Sequence, residues 1–309
     1  MKIAITGASG PFGAGVTRTL VKRYGIEPRD LILVSRDPGR LSEWAALGAD
    51  TRQGDFDDRG GLVAALQGAD RMLMISTNRV GQREPQHRNA VDAAKAAGVR
   101  HVAYTSFVGA PGTVSIALAD HRFTEGLLRE SGMAWTFLRN SQYTEAMRDA
   151  GGPAAIRSGQ WLSSSGGGRI AMVTRDDCIA AAAAVMAGTG HEGQTYDITG
   201  PELIAYAELA RLFSEMSGRP IAYSAVDDEG MYAFFDSLGI PRTAQDDHVV
   251  DGFGWCSEDM VSFEATIRQG GFAVLSDHVQ RLTGRAPESA ASFLMRHKDQ
   301  ILAAAAAQG

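Results

Sequence analysis

Three glycines near the start of the chain constrain its fold more than any other feature. An apolar run over residues 3–6 leads into Gly7, Gly10 and Gly13, and apolar residues then recur at helical spacing. A strand, a glycine turn and a helix in this order form a cradle for a dinucleotide pyrophosphate, with the first N–H groups of the helix facing the anion. A plain structural turn is the alternative interpretation. We predict that a dinucleotide cofactor contacts the whole turn, namely Gly7, Ala8, Ser9, Gly10, Pro11, Phe12 and Gly13.

Strand-like and helix-like segments alternate regularly up to residue 140. This alternation is typical of right-handed βαβ units and a parallel sheet. We therefore predict an α/β fold, with a Rossmann-like doubly wound parallel sheet over residues 1–140. After the first strand, the predicted strands cover residues 31–35, 49–55, 71–76, 101–106 and 134–138.

The regular alternation of strands and helices ends after residue 140, where loop-forming clusters such as 163–168 occur. Thr174 and Asp177 have the spacing of a helix-capping pair ahead of an alanine-rich helix. A second helix is predicted from Pro287 to the end of the chain. We expect residues 141–309 to form a smaller C-terminal α/β substrate lobe that is interleaved with the first domain and not independent.

Composition and charge exclude several classes of partner. The net charge is −6 and no basic run stands out, so nucleic acid is not expected as a partner. No apolar run approaches the ~20 residues of a membrane span, and the first strand begins too early for a signal peptide. The two cysteines, Cys178 and Cys256, cannot build a disulfide framework. We expect a cytoplasmic protein with a small-molecule partner; a homodimer stays open.

The residues that follow the predicted strands should line one crevice, because ligands of open α/β sheets bind outside the carboxyl ends of the strands. These positions carry several polar and aromatic side chains. Apart from the glycine turn, we predict a cofactor site that includes Arg36, Asp55, Phe56, Ser76, Thr77, Tyr104, Thr105, Ser106 and Asn140.

Arg36, at the end of the second predicted strand, indicates which dinucleotide binds. NAD sites usually have an acidic residue there, about 20 residues past the glycines, to hold the ribose 2′-OH. A guanidinium cannot accept from a hydroxyl, but it binds a phosphate well. We therefore predict NADP(H), with Arg40 or Arg18 as helpers. The alternative is a solvated arginine at a strand end.

Several motifs together resemble a known family, the NmrA-like atypical short-chain dehydrogenases/reductases, and within it the members that reduce quinones and triphenylmethane dyes. The likeness covers most of residues 1–240 and fades from about 245 onward. The motifs are the stretches 6–13, 54–56, 80–89, 94–98, 103–106 and 136–140.

The resemblance implies NADPH bound by the glycine turn and Arg36. It also implies that residues 76–77 and 140–144 border the cofactor and that residues 55–56 bracket the adenine. Arg175, in a matching Thr-Arg pair, is implied to approach the cofactor. Simpler structural interpretations remain: a strand-end cap for Asn140, a core position for Tyr143, helix-end contacts for Arg175 and a strand-end turn for residues 55–56.

The proton relay of ordinary short-chain reductases is missing. Those enzymes use Tyr-x-x-x-Lys, in which lysine lowers the tyrosine pKa. On the family alignment, Ala117 and His121 occupy these two positions. Direct hydride transfer to an electron-poor acceptor needs no such relay. The candidate catalytic side chains are His121, whose ordinary pKa lies near neutrality, and Tyr143; a helix-face histidine with local contacts is the alternative for His121.

Aromatic side chains could form a flat apolar substrate pocket. The candidates are Phe107, Tyr143, Trp161, Phe234 and Trp255, although each taken singly could belong to the core. The histidines show no paired ligand spacing, so we expect no metal.

The leading functional hypothesis is an NADPH-dependent reductase of quinone-like or other flat, conjugated, electron-poor small molecules. A non-catalytic NADP(H)-sensing regulator is the alternative, since a missing relay suits both. A third hypothesis, an isoflavone-reductase-like reductase of aromatic ethers or enones, ranks lower because those relatives keep a lysine at the position of His121.

Overall fold

The computed structural model describes residues 1–113, 115–245 and 256–307. Its main sheet contains seven parallel strands in the order β3-β2-β1-β4-β5-β6-β8, and a small parallel sheet pairs β7 with β9. The strands are β1 Ile3–Thr6, β2 Leu31–Ser35, β3 Asp50–Gln53, β4 Arg71–Met74, β5 His101–Phe107, β6 Ala134–Asn140, β7 Gln160–Ser163, β8 Gln194–Ile198 and β9 Ala222–Ala225.

The strand order reverses between β1 and β4, which are neighbours in the sheet although two strands separate them in sequence. A ligand crevice is expected at this switch point, outside the carboxyl ends of the strands. The predicted α/β, Rossmann-like class is therefore confirmed, and the glycine turn lies at the switch.

Helices cover both faces of the main sheet and build the second lobe. The α-helices of the described residues are α1 Pro11–Tyr24, α2 Ser42–Ala46, α3 Arg59–Leu66, α4 Glu84–Ala96, α5 Ile116–Glu130, α6 Gly152–Ser158, α7 Arg175–Ala187, α8 Tyr206–Ser217, α9 Asp228–Ser237, α10 Ser257–Arg268, α11 His278–Thr283, α12 Ala290–Arg296 and α13 Lys298–Ala306. Helices α1, α7 and α11 pack on one face of the sheet, and α3, α4 and α5 on the other. None of the helices described here is long and apolar enough to cross a membrane.

The chain beyond residue 140 contributes to both parts of the molecule. Helix α7 packs against α1, and β8 extends the main sheet by pairing with β6. The small sheet and helices α6, α8, α12 and α13 surround a separate apolar core. The second lobe is thus interrupted by a return of the chain to the main sheet.

Several predicted elements differ in their bounds from the observed ones; the strand predicted over residues 49–55, for example, spans Asp50–Gln53. Two of the differences have a clear physical cause. The strand predicted over residues 71–76 ends at Met74. The next two amides are hydrogen-bonded to side-chain hydroxyls and not to a neighbouring strand: Ile75 N–H donates to Thr6 Oγ1, and Ser76 N–H donates to Thr105 Oγ1. The C-terminal helix is broken at His297, whose backbone leaves the helical region and whose Nδ1 contacts the Phe293 carbonyl.

The predicted cap of α7 is present, with one difference. The Thr174 hydroxyl accepts a hydrogen bond from the Asp177 amide, as expected for an N-cap. The Asp177 carboxylate does not reach back to the backbone of Thr174. It accepts from the Thr174 hydroxyl and from the amide of Glu288.

Candidate functional site at the switch point

The glycine turn between β1 and α1 has the close contacts that its sequence predicts. Gly7 adopts a left-handed backbone, with φ of 62°. A Cβ on Gly13 would lie 2.4 Å from the Gly7 carbonyl oxygen, so only glycine fits there. Helix α1 begins without a side-chain cap or an acidic residue in its first turn. These residues therefore fit the pyrophosphate of a dinucleotide, since the helix start is open to an anion.

Two arginines lie near the end of β2, beside the turn. Arg36 follows the last residue of β2 and is exposed, as is Arg40. The hydroxyls of Ser9 and Ser35 are 2.8 Å apart, and Arg40 Nη2 lies 3.5 Å from the Ser9 carbonyl oxygen. The turn and the end of β2 are thus joined, and the exposed side chains of Arg36 and Arg40 lie beside this junction.

Asp55 and Phe56, which were expected to contact the adenine of the cofactor, differ in their burial. The Asp55 carboxylate accepts from the Asp57 amide and stays half-buried. Phe56 is buried, with its ring 6.2 Å from that of His87, and its carbonyl accepts from Asn89 Nδ2. Phe56 therefore packs against His87 in the layer beneath the crevice surface.

Polar groups of β4 and β5 meet beside the switch point. Thr105 Oγ1 accepts from the Ser76 amide at 2.9 Å and lies 3.3 Å from the Ser76 hydroxyl. The next amide, of Thr77, donates to His87 Nε2 at 3.2 Å. Ser106 points away, because its hydroxyl donates to the buried Glu125 at 2.7 Å. The hydroxyls of Thr105 and Ser106 are thus hydrogen-bonded to neighbouring protein groups. Ser76 and Thr77 are half-buried and lie at the rim of the crevice.

Asn140, Tyr143 and Arg175 meet at the opposite side of the crevice. Asn140 Nδ2 donates to the Tyr143 hydroxyl at 3.0 Å, while its buried Oδ1 has no partner among the described residues. The Tyr143 ring stacks 6.5 Å from Phe12 of the glycine turn, and the Arg175 guanidinium lies 5.5 Å from the same ring. Burial raises the pKa of Tyr143, so its hydroxyl stays protonated. The unpaired amide oxygen fits a ligand with an N–H donor.

His121, the predicted proton donor, lies inside the protein at 4% exposure. Arg83 Nη1 is 3.3 Å from its Nε2, and the Tyr104 hydroxyl is 2.7 Å from its Nδ1. Arginine can only donate, so Nε2 accepts and Nδ1–H faces Tyr104. Burial, with Arg83 nearby, holds the pKa of His121 well below its usual value. Both nitrogens are therefore engaged and the ring is neutral, which does not support the predicted role.

The neighbouring His87 and Tyr104 complete this buried network. His87 Nε2 accepts from Thr77, so its Nδ1–H donates to Thr124 Oγ1 at 2.8 Å. Burial lowers the pKa of His87 to about 3 and raises the pKa of Tyr104. His87 is fully buried, and both of its ring nitrogens have hydrogen-bond partners. His87 and Tyr104 therefore belong to the buried packing next to the crevice.

The predicted substrate aromatics do not form one cluster. Trp161 is buried in the core of the second lobe, stacked 6.0 Å from Phe213, which does not favour substrate contact. Phe234, on α9, is 39% exposed, and Trp255 lies outside the described residues. Of the candidates within the described part of the chain, Phe107 and Tyr143 lie beside the strand ends.

Phe107 instead belongs to an aromatic cluster that sequence reasoning missed. Its half-buried ring lies 5.8 Å from Phe263 and 5.3 Å from Phe272, and 6.1 Å from the His121 ring. Phe263 is on α10, in a stretch whose sequence shows no clear pattern. A cluster of three phenylalanine rings, in which Phe107 meets the other two edge to face, therefore lies next to the end of β5.

Among the described residues, no group of three or more His, Cys, Asp or Glu side chains is placed to hold a metal ion. The two cysteines are free and buried.

Comparison with known proteins identifies the family. A family model described as NAD(P)H-binding matches residues 7–187. Quinone oxidoreductase 2 of Escherichia coli (strain K12) is 40% identical over 240 residues, 77% of this chain and 82% of the relative. The NAD(P)H azoreductase of Xenophilus azovorans is 28% identical over 306 residues, 96% of this chain and 97% of the relative. An NmrA-like oxidoreductase of Aspergillus flavus is 30% identical over 234 residues, 72% of this chain and 73% of the relative.

Solved structures agree with this placement. The NADPH-dependent quinone oxidoreductase of Escherichia coli complexed with NADPH superposes with a TM-score of 0.85 at 34% identity, covering 95% of this chain and 99% of the other. The triphenylmethane reductase of Citrobacter sp. complexed with NADP(H) gives 0.79 at 29% identity, covering 98% and 100%. The chain therefore belongs to the NAD(P)H-binding family, as an NADP(H)-dependent oxidoreductase of the NmrA-like group that is similar to quinone oxidoreductase 2.

Proposed function

We propose that this chain reduces quinone-like or other flat, conjugated, electron-poor small molecules with NADPH. One observation carries the proposal: the phenol and imidazole groups near the strand ends are all engaged or kept neutral. His121 and Tyr104 bond each other inside the protein, and Tyr143 is held by Asn140 with a raised pKa. The raised pKa makes the Tyr143 hydroxyl a weak acid, and a neutral imidazole is a poor proton donor, so these groups are not suited to deliver a proton. An acceptor that takes hydride first and a proton later from water suits such a site.

The residues divide into three parts of the crevice. The glycine turn and the start of α1 would hold the pyrophosphate, and Arg36 with Arg40 the 2′-phosphate. Thr77, Asn140 and Tyr143 would border the nicotinamide. NADPH, when bound, supplies the hydride. The chain's own contribution is to orient the two reactants and to keep water away from them.

Phe107 would orient the acceptor. Its ring is half-buried and is held by Phe263 and Phe272, so it offers a fixed flat surface beside the end of β5. A planar conjugated ring can stack on such a surface. The names of the relatives, which include quinone and azo compounds, agree with this substrate class.

The test is NADPH oxidation followed by absorbance with a panel of quinones, triarylmethane dyes, azo dyes and conjugated carbonyls. We expect turnover with at least one quinone. Phe107→Ala should raise the KM of that acceptor about tenfold. Phe123, on α5, lies under the guanidinium of Arg88 from α4. Phe123→Ala is the control and should leave the KM of the acceptor unchanged.

Two results would contradict the proposal. Tight NADPH binding without turnover of any acceptor would favour a dinucleotide-sensing regulator. Turnover of conjugated ethers or enones alone would favour the third hypothesis.

A further inference from the structure

The loop that follows β5 is attached to the turn that follows α10. The Gly271 carbonyl accepts from the Ala110 amide at 2.8 Å, and the Thr113 hydroxyl lies 3.4 Å from the same oxygen. The turn is closed onto α10 by the Gly271 amide, which donates to the Thr266 carbonyl at 2.9 Å. Residues 108–113, the β5 loop, are therefore bound to the end of α10 through the backbone of Gly271.

The space around Gly271 suits glycine alone. Its φ lies outside the left-handed region, so its backbone conformation would accept other residues. A Cβ there, however, would lie 2.5 Å from Thr113 Cγ2 and 2.8 Å from Thr266 Cγ2. Both neighbours are β-branched, so their methyl groups have little freedom to turn away. A side chain at position 271 would therefore push the β5 loop away from α10.

Phe107, the last residue before the β5 loop, is held from two sides. Phe272, in the turn after α10, is fully buried, and its ring lies 5.3 Å from the Phe107 ring and 4.7 Å from that of Phe263. On the cofactor side, the Val108 amide donates to the Asn140 carbonyl of β6 at 3.0 Å. The orientation of the Phe107 ring therefore depends on the turn after α10 as well as on the main sheet.

We propose that the turn formed by Gly271 and Phe272 determines acceptor specificity: it holds the β5 loop and the Phe107 ring in the position on which the acceptor stacks. The inference rests on the proposed function for the contact between Phe107 and the acceptor. A fused-ring acceptor covers more of an aromatic ring than a single-ring acceptor does, so displacement of Phe107 costs the larger acceptor more. Gly271 and Phe272 are thus positioning residues, which act through Phe107.

The experiment separates the two methyl groups that a side chain at position 271 would meet. Thr266→Ser removes one methyl group and keeps the hydroxyl that donates to the Ser262 carbonyl at 2.8 Å, so this variant is the background and the control. Adding Gly271→Ala leaves Thr113 as the close contact and should displace the β5 loop. Adding Thr113→Ala as a third change removes that contact and should let the loop return.

Two measurements follow the loop and the acceptor separately. Hydrogen exchange detected by mass spectrometry reports on the Ala110 amide, which should exchange faster in the double variant and at the background rate in the triple variant. Steady-state kinetics compare a fused-ring quinone with a single-ring quinone. The ratio of their kcat/KM values should fall about tenfold in the double variant, through KM, and recover in the triple variant. The affinity for NADP⁺, measured by calorimetry, should stay at the background value throughout.

A folded double variant that keeps the background exchange rate or the background kcat/KM ratio would overturn the proposal. A ratio that Thr113→Ala does not restore would also overturn it, as would a parallel loss of NADP⁺ affinity. If the double variant does not fold, Phe272→Leu provides the test, because it withdraws the ring from Phe107 and should lower the same ratio. Absence of turnover by the wild type with every acceptor would instead refute the proposed function itself.

Discussion

The side-chain amide of Asn140 donates to the Tyr143 hydroxyl at 3.0 Å, and its own oxygen stays buried without a partner among the described residues. A buried acceptor of this kind costs free energy until a ligand donor reaches it. Asn140→Ala should therefore weaken NADPH binding about tenfold, measured by fluorescence titration. Tyr143→Phe removes the acceptor of the other hydrogen bond and should cost less. Unchanged affinity in Asn140→Ala would show that the amide oxygen does not contact the cofactor.

Arg36 should decide between the two dinucleotides. Replacing it with glutamate removes the phosphate ligand and supplies an acceptor for a ribose hydroxyl. We expect Arg36→Glu to lose about 100-fold in affinity for NADPH and to gain affinity for NADH. Arg29, exposed just before β2 and so at its opposite end, provides the control, since Arg29→Ala should leave both affinities unchanged. Retention of the NADPH preference in Arg36→Glu would exclude Arg36 from the 2′-phosphate site.

Gly13 should tolerate no side chain. A Cβ there would lie 2.4 Å from the Gly7 carbonyl oxygen and 2.8 Å from Ala8 Cα, both backbone atoms. Gly13→Ala should lower the free energy of unfolding by about 2–4 kcal/mol and abolish cofactor binding. Gly126 is also helical but has open space around its Cα. Gly126→Ala should instead raise stability by about 0.5–1 kcal/mol, measured by urea unfolding.

His87 should make the protein sensitive to acid. Its folded pKa of about 3 lies below its usual value, so the folded state binds fewer protons than the unfolded state. The stability that His87 contributes is therefore complete above about pH 6.5 and is lost as the pH falls toward 3. His87→Gln, whose amide oxygen can accept from Thr77, should remove about 2 kcal/mol of the decline between about pH 6.5 and pH 5. Parallel stability profiles for the two proteins would contradict this prediction.

Trp161 should act through stability and not through substrate contact. Its ring packs against Tyr206 and Phe213 in the core of the second lobe. Trp161→Ala should lower the free energy of unfolding by about 3–5 kcal/mol. Trp161→Phe, which keeps a ring in the same place, should leave the KM of the acceptor near the wild-type value. A large change of KM in stable Trp161→Phe protein would restore the substrate role.

Local patterns in the sequence were sufficient for the strand–turn–helix unit around Gly7 and for Arg36 at the end of β2. Both depend on residues close in sequence, so spacing alone predicts them. The shortening of β4 could not be read this way, because the hydroxyls that replace its last hydrogen bonds come from Thr6 and Thr105.

The remaining parts of the site depend on contacts between distant segments. His87 and His121 look like ordinary polar helix residues, and only the packing of α4 and α5 against β5 explains why they are buried and neutral. Phe263 comes from a stretch without a clear pattern, and it reaches Phe107 because α10 packs against α5. The buried pair of Arg83 and Asp120 gave no local signal, since it joins the start of α4 to α5, well apart in sequence.

The return of the chain to the main sheet has a consequence for folding. Strand β6 pairs with β8 from Thr136 to Asn140, opposite Gln194 to Ile198. A fragment that ended at residue 140 would leave this edge of β6 unpaired and one face of the sheet without α7. The nucleotide-binding half therefore cannot be excised as an autonomous module. The two lobes should unfold in a single cooperative transition, and truncation between them should yield an aggregation-prone fragment.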